Sequence, residues 1–122
     1  MKLTKDFDSS EFSCNCCGLS NISSKLVKWL QVARDFAGIP FVITSGTRCP
    51  VHNKKSGGLA SSAHLAGYAV DIAVDNGRER HIILAALIKA DFTRIGISKH
   101  FIHVDIDPSK PSPTIWLYWY EF

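Results

Sequence analysis

The segment Phe101-Ile102-His103-Val104-Asp105-Ile106-Asp107 alternates without a break between apolar and ionisable residues. Successive side chains of an extended strand point to opposite faces. Ile102, Val104 and Ile106 therefore share one face, and His103, Asp105 and Asp107 share the other. Such a strand fits a sheet that is covered on one side only. The segment Tyr68-Ala69-Val70-Asp71-Ile72-Ala73-Val74 is built the same way. Val70, Ile72 and Val74 make its bulky face, and Asp71 lies on the other with Ala69 and Ala73. If the two strands are neighbours, both polar faces look into one cleft.

The rest of the chain supplies the cover. Leu26, Leu30, Ala33 and Ala37 recur at helical spacing after Asn21, which predicts an amphipathic helix capped by Asn21 or Ser23 and ended by Gly38. Pro40 opens a β-branched run over Phe41–Thr44 that reads as a strand. Residues 45–62, with Gly46, Pro50, Gly57 and Gly58, read as a long loop, a kind of segment more often functional than idle. Asp75-Asn76-Gly77 is a turn, and residues 78–90 are helical, with Ile83, Leu84, Leu87 and Ile88 as the apolar stripe. Residues 93–97 and 101–107 make two short strands joined at Ser98-Lys99-His100, in a turn or bulge. A last strand spans residues 114–120. The expected fold is α+β, a mainly antiparallel sheet with helices packed on one face, in a single domain over residues 1–122. Phe7 and Phe12 are the expected anchors of the polar first segment.

A chain of 122 residues buries roughly two-thirds of its unfolded surface and needs no staples. Its longest apolar run, Ile82–Ile88, falls far short of the ~20 residues of a membrane helix, so no membrane insertion is expected. Met1-Lys2-Leu3-Thr4-Lys5-Asp6 has no apolar stretch behind its lysines and does not read as a signal peptide. Synthesis in the cytoplasm is expected, with any extracellular action needing another route out. A net charge of +3 is mild, the basic residues are scattered, and nucleic acid is not an expected partner. A monomer is expected.

Cys14, Cys16 and Cys17 crowd one stretch, and Cys49 stands apart. Cys14-x-x-Cys17 has a metal-knuckle spacing that Cys49 could complete. Reduced thiols, a structural zinc site and a disulfide all fit the sequence, the last requiring export.

His64, Asp71 and His103 stand out for chemistry. Two imidazoles and a carboxylate make a catalytic zinc set, with a fourth position left for water. By composition and spacing alone each is also an ordinary polar residue on a strand or loop. The neighbouring residues decide between these readings. Ser45-Gly46-Thr47-Arg48, Ser62-Ala63-His64, Gly67-Tyr68-Ala69-Val70-Asp71 and Phe101-Ile102-His103-Val104-Asp105 together resemble the zinc D-alanyl-D-alanine carboxypeptidases and their relatives. Those relatives include D-Ala-D-Ala dipeptidases and phage L-alanyl-D-glutamate endopeptidases. The resemblance covers about residues 40–107, and the small single-domain members of phages and prophages look nearest.

The resemblance implies a zinc metallopeptidase acting on peptidoglycan stem peptides. His64, Asp71 and His103 would be the ligands of a zinc ion in the cleft. Arg48 would bind or orient the peptide through its planar donor fork, or clamp the long loop. Ser62 would hydrogen-bond beside the metal and touch substrate, or cap a helix over residues 63–66. Most relatives carry an acidic general base three residues before the last histidine ligand. Here that position is His100, which is favoured as the base on position alone, with Asp105 as the other candidate. Asp105 is equally suited to orienting His103. His52 and His81 pair with no motif and read as solvated. Trp116, Tyr118, Trp119 and Tyr120 either pack the core and edge or wall a substrate groove. The context implied is attack on the cell wall during phage lysis or from a virion. The alternative is a non-catalytic zinc-containing domain of the same fold that binds wall peptide or a protein partner.

Overall fold

Two helices form on the residues that the periodicity marks. Helix α1 spans Ser24–Ala37 and buries Leu26, Val27, Leu30 and Ala33. Of the two candidate caps, Ser23 does the work: its hydroxyl accepts the Leu26 N–H, and Gly38, at φ 69°, ends the helix in the left-handed conformation. A later helix over Gly77–Lys89 is capped by the Asn76 side chain, whose Oδ1 accepts the Glu79 N–H. Its inner face is Ile83, Ala86 and Leu87, whereas Ile88, expected in the stripe, is half exposed.

The computed structural model describes residues 1–59 and 62–118. Strands β1 (Ile43–Ser45), β2 (Ala69–Ala73), β3 (Arg94–Ile97), β4 (Phe101–Asp105) and β5 (Thr114–Leu117) form one sheet in the order β1-β2-β4-β3-β5. All pairs are antiparallel except β3 with β5, which run parallel. The fold is α+β with a mostly antiparallel sheet, as the sequence predicts. Among the described residues the final strand covers Thr114–Leu117, and Trp119 and Tyr120, at the end of the expected strand, lie outside the described residues.

The two faces of the sheet differ in kind. Val70, Ile72, Ile95, Ile102 and Val104 are buried in one core with Leu26, Leu30, Ile83 and Leu87 of the helices. Phe7 and Phe12 join that core from the first segment. Each of these large side chains contributes about 1.5–3 kcal/mol by leaving water. The opposite face carries Asp71, His103, Asp105 and Arg94 and opens into a cleft.

The segment expected as a loop over residues 45–62 contains a third helix, Pro50–Lys55, placed between β1 and β2 and called α2 here; the helix after β2 is α3. It begins with Pro at the first turn, where a missing N–H costs nothing, and buries only Asn53. Without an apolar stripe it left no periodic signal. Residues 63–67 form turns and not a capped helix, closed by Leu65 N–H to Ser62 O and Tyr68 N–H to Ala63 O. Gly67 ends them at φ 75°, and a Cβ there would lie 2.1 Å from the Asn21 carbonyl oxygen.

Left-handed geometry disfavours any other residue by about 1–2 kcal/mol, and backbone cannot yield cheaply to a clash. Gly67→Ala should therefore destabilise the protein by about 2 kcal/mol or more, read as a lower midpoint in urea unfolding. An unchanged midpoint would contradict this packing.

Candidate metal centre

Strand register brings the ionisable face into one row. Ser45 lies opposite Asp71, Asp71 opposite His103, His103 opposite Gly96, and Gly96 opposite Trp116. The row thus crosses all five strands. His64 arrives from the turn that precedes β2. Its ring centroid is 5.1 Å from that of His103. His64, Asp71 and His103 are 2%, 6% and 7% exposed, so their polar atoms need partners within the protein.

Those partners orient the donor atoms. His64 Nδ1 is 2.8 Å from the Gly46 carbonyl. A carbonyl only accepts, so Nδ1 carries the proton and Nε2 faces Asp71 Oδ1 at 3.3 Å. His103 Nε2 donates to Asp105 Oδ2 at 2.7 Å, leaving Nδ1 toward Asp71 Oδ1 at 3.0 Å. The second oxygen of Asp71 accepts from Arg48 Nη2 at 3.2 Å. One nitrogen from each imidazole and one Asp71 oxygen therefore converge, each backed by an outer hydrogen bond of the kind that fixes metal ligands. Zinc bonds of about 2.0–2.1 Å in a tetrahedron place ligand atoms about 3.4 Å apart. The observed separations, with all three donor atoms within 4.8 Å of one another, suit that ion.

The row opens into a cleft of about 400 Å³. Arg48, Ser62, His64, Asp71, His103 and Asp105 all line it, with Phe101, Trp116 and Tyr118 along one side. Arg48 also donates through Nε to Ser45 Oγ and through Nη1 to Asn53 Oδ1. Ser62 Oγ accepts the His64 backbone N–H at 3.3 Å. Asp105 is committed on both oxygens, Oδ1 to Arg94 Nε and the Asp107 N–H, Oδ2 to His103. His100 stands exposed in the β3–β4 turn and is not among the residues lining the cleft; its carbonyl accepts the Val74 N–H. His81 is exposed and His52 half-buried, and neither lines the cleft.

Arg94 is a site residue that the sequence reading passed over. It donates to Asp105 and lies 4.9 Å over the Trp116 ring, whose centroid is 5.4 Å from that of His103. The available signal was a charged residue at the head of an otherwise apolar strand, two residues from Gly96. Gly96 itself leaves the room that Trp116 fills: a Cβ there would meet the indole nitrogen at 2.6 Å.

The charges in this buried row are coupled. Burial works against ionised Asp71, but the bonds and charges of His103 and His64 outweigh it and hold the carboxyl below its usual 3.8. Burial likewise pushes His103 down, yet Asp105 and Asp71 outweigh it and raise the imidazole above 6.5. In the metal-free protein, the contribution of Asp71 is complete above pH 3.8 and is lost as pH falls through its depressed value. That of His103 is complete below pH 6.5 and is lost as pH rises through its raised value. Urea unfolding in EDTA should therefore show this cluster contributing most between about pH 4 and pH 6.5. Asp105→Asn should flatten the alkaline decline; a decline identical in the variant would contradict the pairing.

Comparison with curated proteins gives no match. A family model described as Peptidase M15 matches residues 5–107. That span holds the converging donor atoms, the arginines behind them and four of the five strands. The family is one of zinc-dependent metallopeptidases, the class to which the donor set is suited. By sequence match over most of its length, the chain belongs to the peptidase M15 family.

Proposed function

We propose that His64 Nε2, Asp71 Oδ1 and His103 Nδ1 hold zinc, and that the cleft hydrolyses peptide bonds of peptidoglycan stem peptides, as a D,D-carboxypeptidase or an endopeptidase. The convergence of these three donor atoms in a cleft, each backed by its own outer partner, carries the reading. When bound, zinc supplies Lewis-acid polarisation of the scissile carbonyl and lowers the pKa of a water.

The protein's own groups do the rest. Arg48 uses one N–H on each nitrogen to hold Asp71, Ser45 and Asn53, leaving N–H groups on both terminal nitrogens for a peptide carboxylate or carbonyl. Ser62 offers its hydroxyl at the cleft wall. Phe101, Trp116 and Tyr118 give the substrate an apolar side. Asp105 keeps His103 in the tautomer that exposes Nδ1. Neither candidate base is poised as such: Asp105 spends both oxygens on His103, Arg94 and the Asp107 N–H and acts in this reading as the positioning residue for His103, and His100 stands in the exposed turn. The working unit in this reading is a monomer that reaches the wall during phage lysis or from a virion. No described helix is long and apolar enough to cross a membrane.

A second reading is a zinc-containing domain that binds wall peptide or a protein partner without cleaving it. It is favoured by His100, which occupies the place of an acidic base and is exposed. Mass spectrometry of peptidoglycan fragments incubated with the zinc-loaded protein separates the two. Cleavage at one defined peptide bond, abolished by His64→Ala, is the expected result; zinc bound with no cleavage would establish the second reading.

Asp105→Asn should weaken metal affinity by about 10- to 100-fold. At saturating zinc, its turnover should still fall further than that of His100→Ala. Competition with a chromogenic chelator gives the affinity, and fragment analysis gives the turnover. The reverse order of effects would make His100 the base.

A further inference from the structure

A second cluster of metal-ligating side chains lies outside the cleft. The sulfurs of Cys14, Cys16, Cys17 and Cys49 all fall within 4.8 Å of one another. Cys14 Sγ is 3.6 Å from Cys16 Sγ, and Cys16 Sγ is 3.1 Å from Cys49 Sγ. A tetrahedral zinc with Zn–S bonds of about 2.3 Å sets its sulfurs about 3.8 Å apart. The four are thus gathered at close to the spacing that such an ion requires. A disulfide would use two of the sulfurs and leave two thiols crowded against it, whereas Cys16 stands between Cys14 and Cys49 and lies against both.

The backbone is folded for the same purpose. Cys14 to Leu19 make a tight turn, with the Gly18 N–H on the Cys14 carbonyl and the Cys14 N–H on the Leu19 carbonyl. Gly18 takes φ 77°, and the turn points Cys14, Cys16 and Cys17 to one point. Cys49 comes from the other side, at the start of α2. Backbone N–H groups are aimed at sulfur: that of Cys49 at Cys14 Sγ and that of His52 at Cys49 Sγ, each at 3.4 Å. Such donors favour thiolate over thiol, and thiolate is the form that binds metal.

We propose that Cys14, Cys16, Cys17 and Cys49 form a tetrathiolate zinc site, separate from the cleft and structural in role. Four thiolates fill the tetrahedron and leave no open position for water. On binding, each thiol releases its proton to solvent, and the site has a net charge of about −2, the sum of four thiolates and one Zn²⁺. Its place in the fold gives the reason for it. Residues 46–48, between β1 and Cys49, supply the Gly46 carbonyl that orients His64 and the Arg48 guanidinium that holds Asp71. One side of that loop is fixed by the Thr47 N–H on the Phe12 carbonyl. The cysteine site would fix the other, binding the first segment to the entrance of α2. The proposal does not rest on catalysis, and its test keeps the two sites apart.

The full chain, reduced and loaded with zinc, should hold about two ions by metal analysis after gel filtration. His64→Ala should hold one fewer and keep its cysteines protected from a thiol reagent until chelator is added. Cobalt-loaded protein should show intense thiolate-to-cobalt absorption in the near ultraviolet, retained in His64→Ala and lost in Cys49→Ser. If Cys49→Ser does not fold, the cobalt spectrum and thiol protection of His64→Ala still decide the matter. A cobalt spectrum without the thiolate band, free reaction of all four thiols in the zinc-loaded protein, or an intact mass showing a disulfide after zinc loading would each overturn the proposal. Iron in place of zinc under equal supply would overturn the identity of the metal.

Discussion

A carboxylate out of water sets the terms for this structure. Asp71 sits in the middle of a sheet, 6% exposed, where an unpaired charge would cost several kcal/mol. It is tolerable only because Arg48, His64 and His103 surround it. Each of those groups comes from a different part of the chain: the stretch after β1, the turn before β2, and β4. The fold must therefore close around Asp71 before its charge is compensated. Outer partners extend the demand, to Asp105 and Arg94 on one side and to the loop of residues 45–48 on the other. The polar face of the sheet is in effect one connected network, and such networks are sound only when every member is satisfied.

The apolar side of the same strands makes that network affordable. Val70, Ile72, Ile102 and Val104 alternate with the ionisable residues and lock the register against α1 and α3. A slip of one residue would turn Asp71 and His103 into the core and their apolar neighbours into the cleft. Such a slip has a prohibitive cost on both faces. Precision at the metal centre thus follows from a hydrophobic constraint on the far side of the sheet.

This coupling explains which parts were legible in the sequence. Two-residue periodicity identified β2 and β4 and the faces of Asp71, His103 and Asp105. Caps and apolar spacing identified α1 and α3, and the order of elements gave the fold class. Residue type brought His64 forward but the resemblance gave it its role, along with Arg48 and Ser62, since no local pattern specifies that a turn will deliver His64 against β4. Helix α2 was missed because its six residues carry no apolar stripe and bury only Asn53. The parallel pairing of β5 with β3 was out of reach because register between distant segments is a tertiary fact. Arg94 was passed over because its meaning depends on Asp105 and Trp116, which meet it only across the sheet. The Gly46 carbonyl that orients His64 is backbone, and backbone acceptors have no signature in sequence.

The Gly96 and Trp116 pair has a consequence for how this cleft can change over generations. The indole occupies the space that a side chain at position 96 would need, within 2.6 Å of where its first carbon would stand. Tyr118 closes the same space, its ring 2.8 Å from that carbon, so substitution at Gly96 is harmful while Trp116 keeps its place and is eased only once that ring is smaller and Tyr118 can shift. In the other order, loss of Trp116 opens a gap beside His103, toward which both Tyr118 and a new side chain at position 96 can move. The two positions are epistatic, and the order of substitution is prescribed. A lineage that enlarges position 96 after losing the tryptophan cannot return by reversing its steps in any sequence but one, so the shape of this wall is subject to a historical ratchet set by a single missing β-carbon.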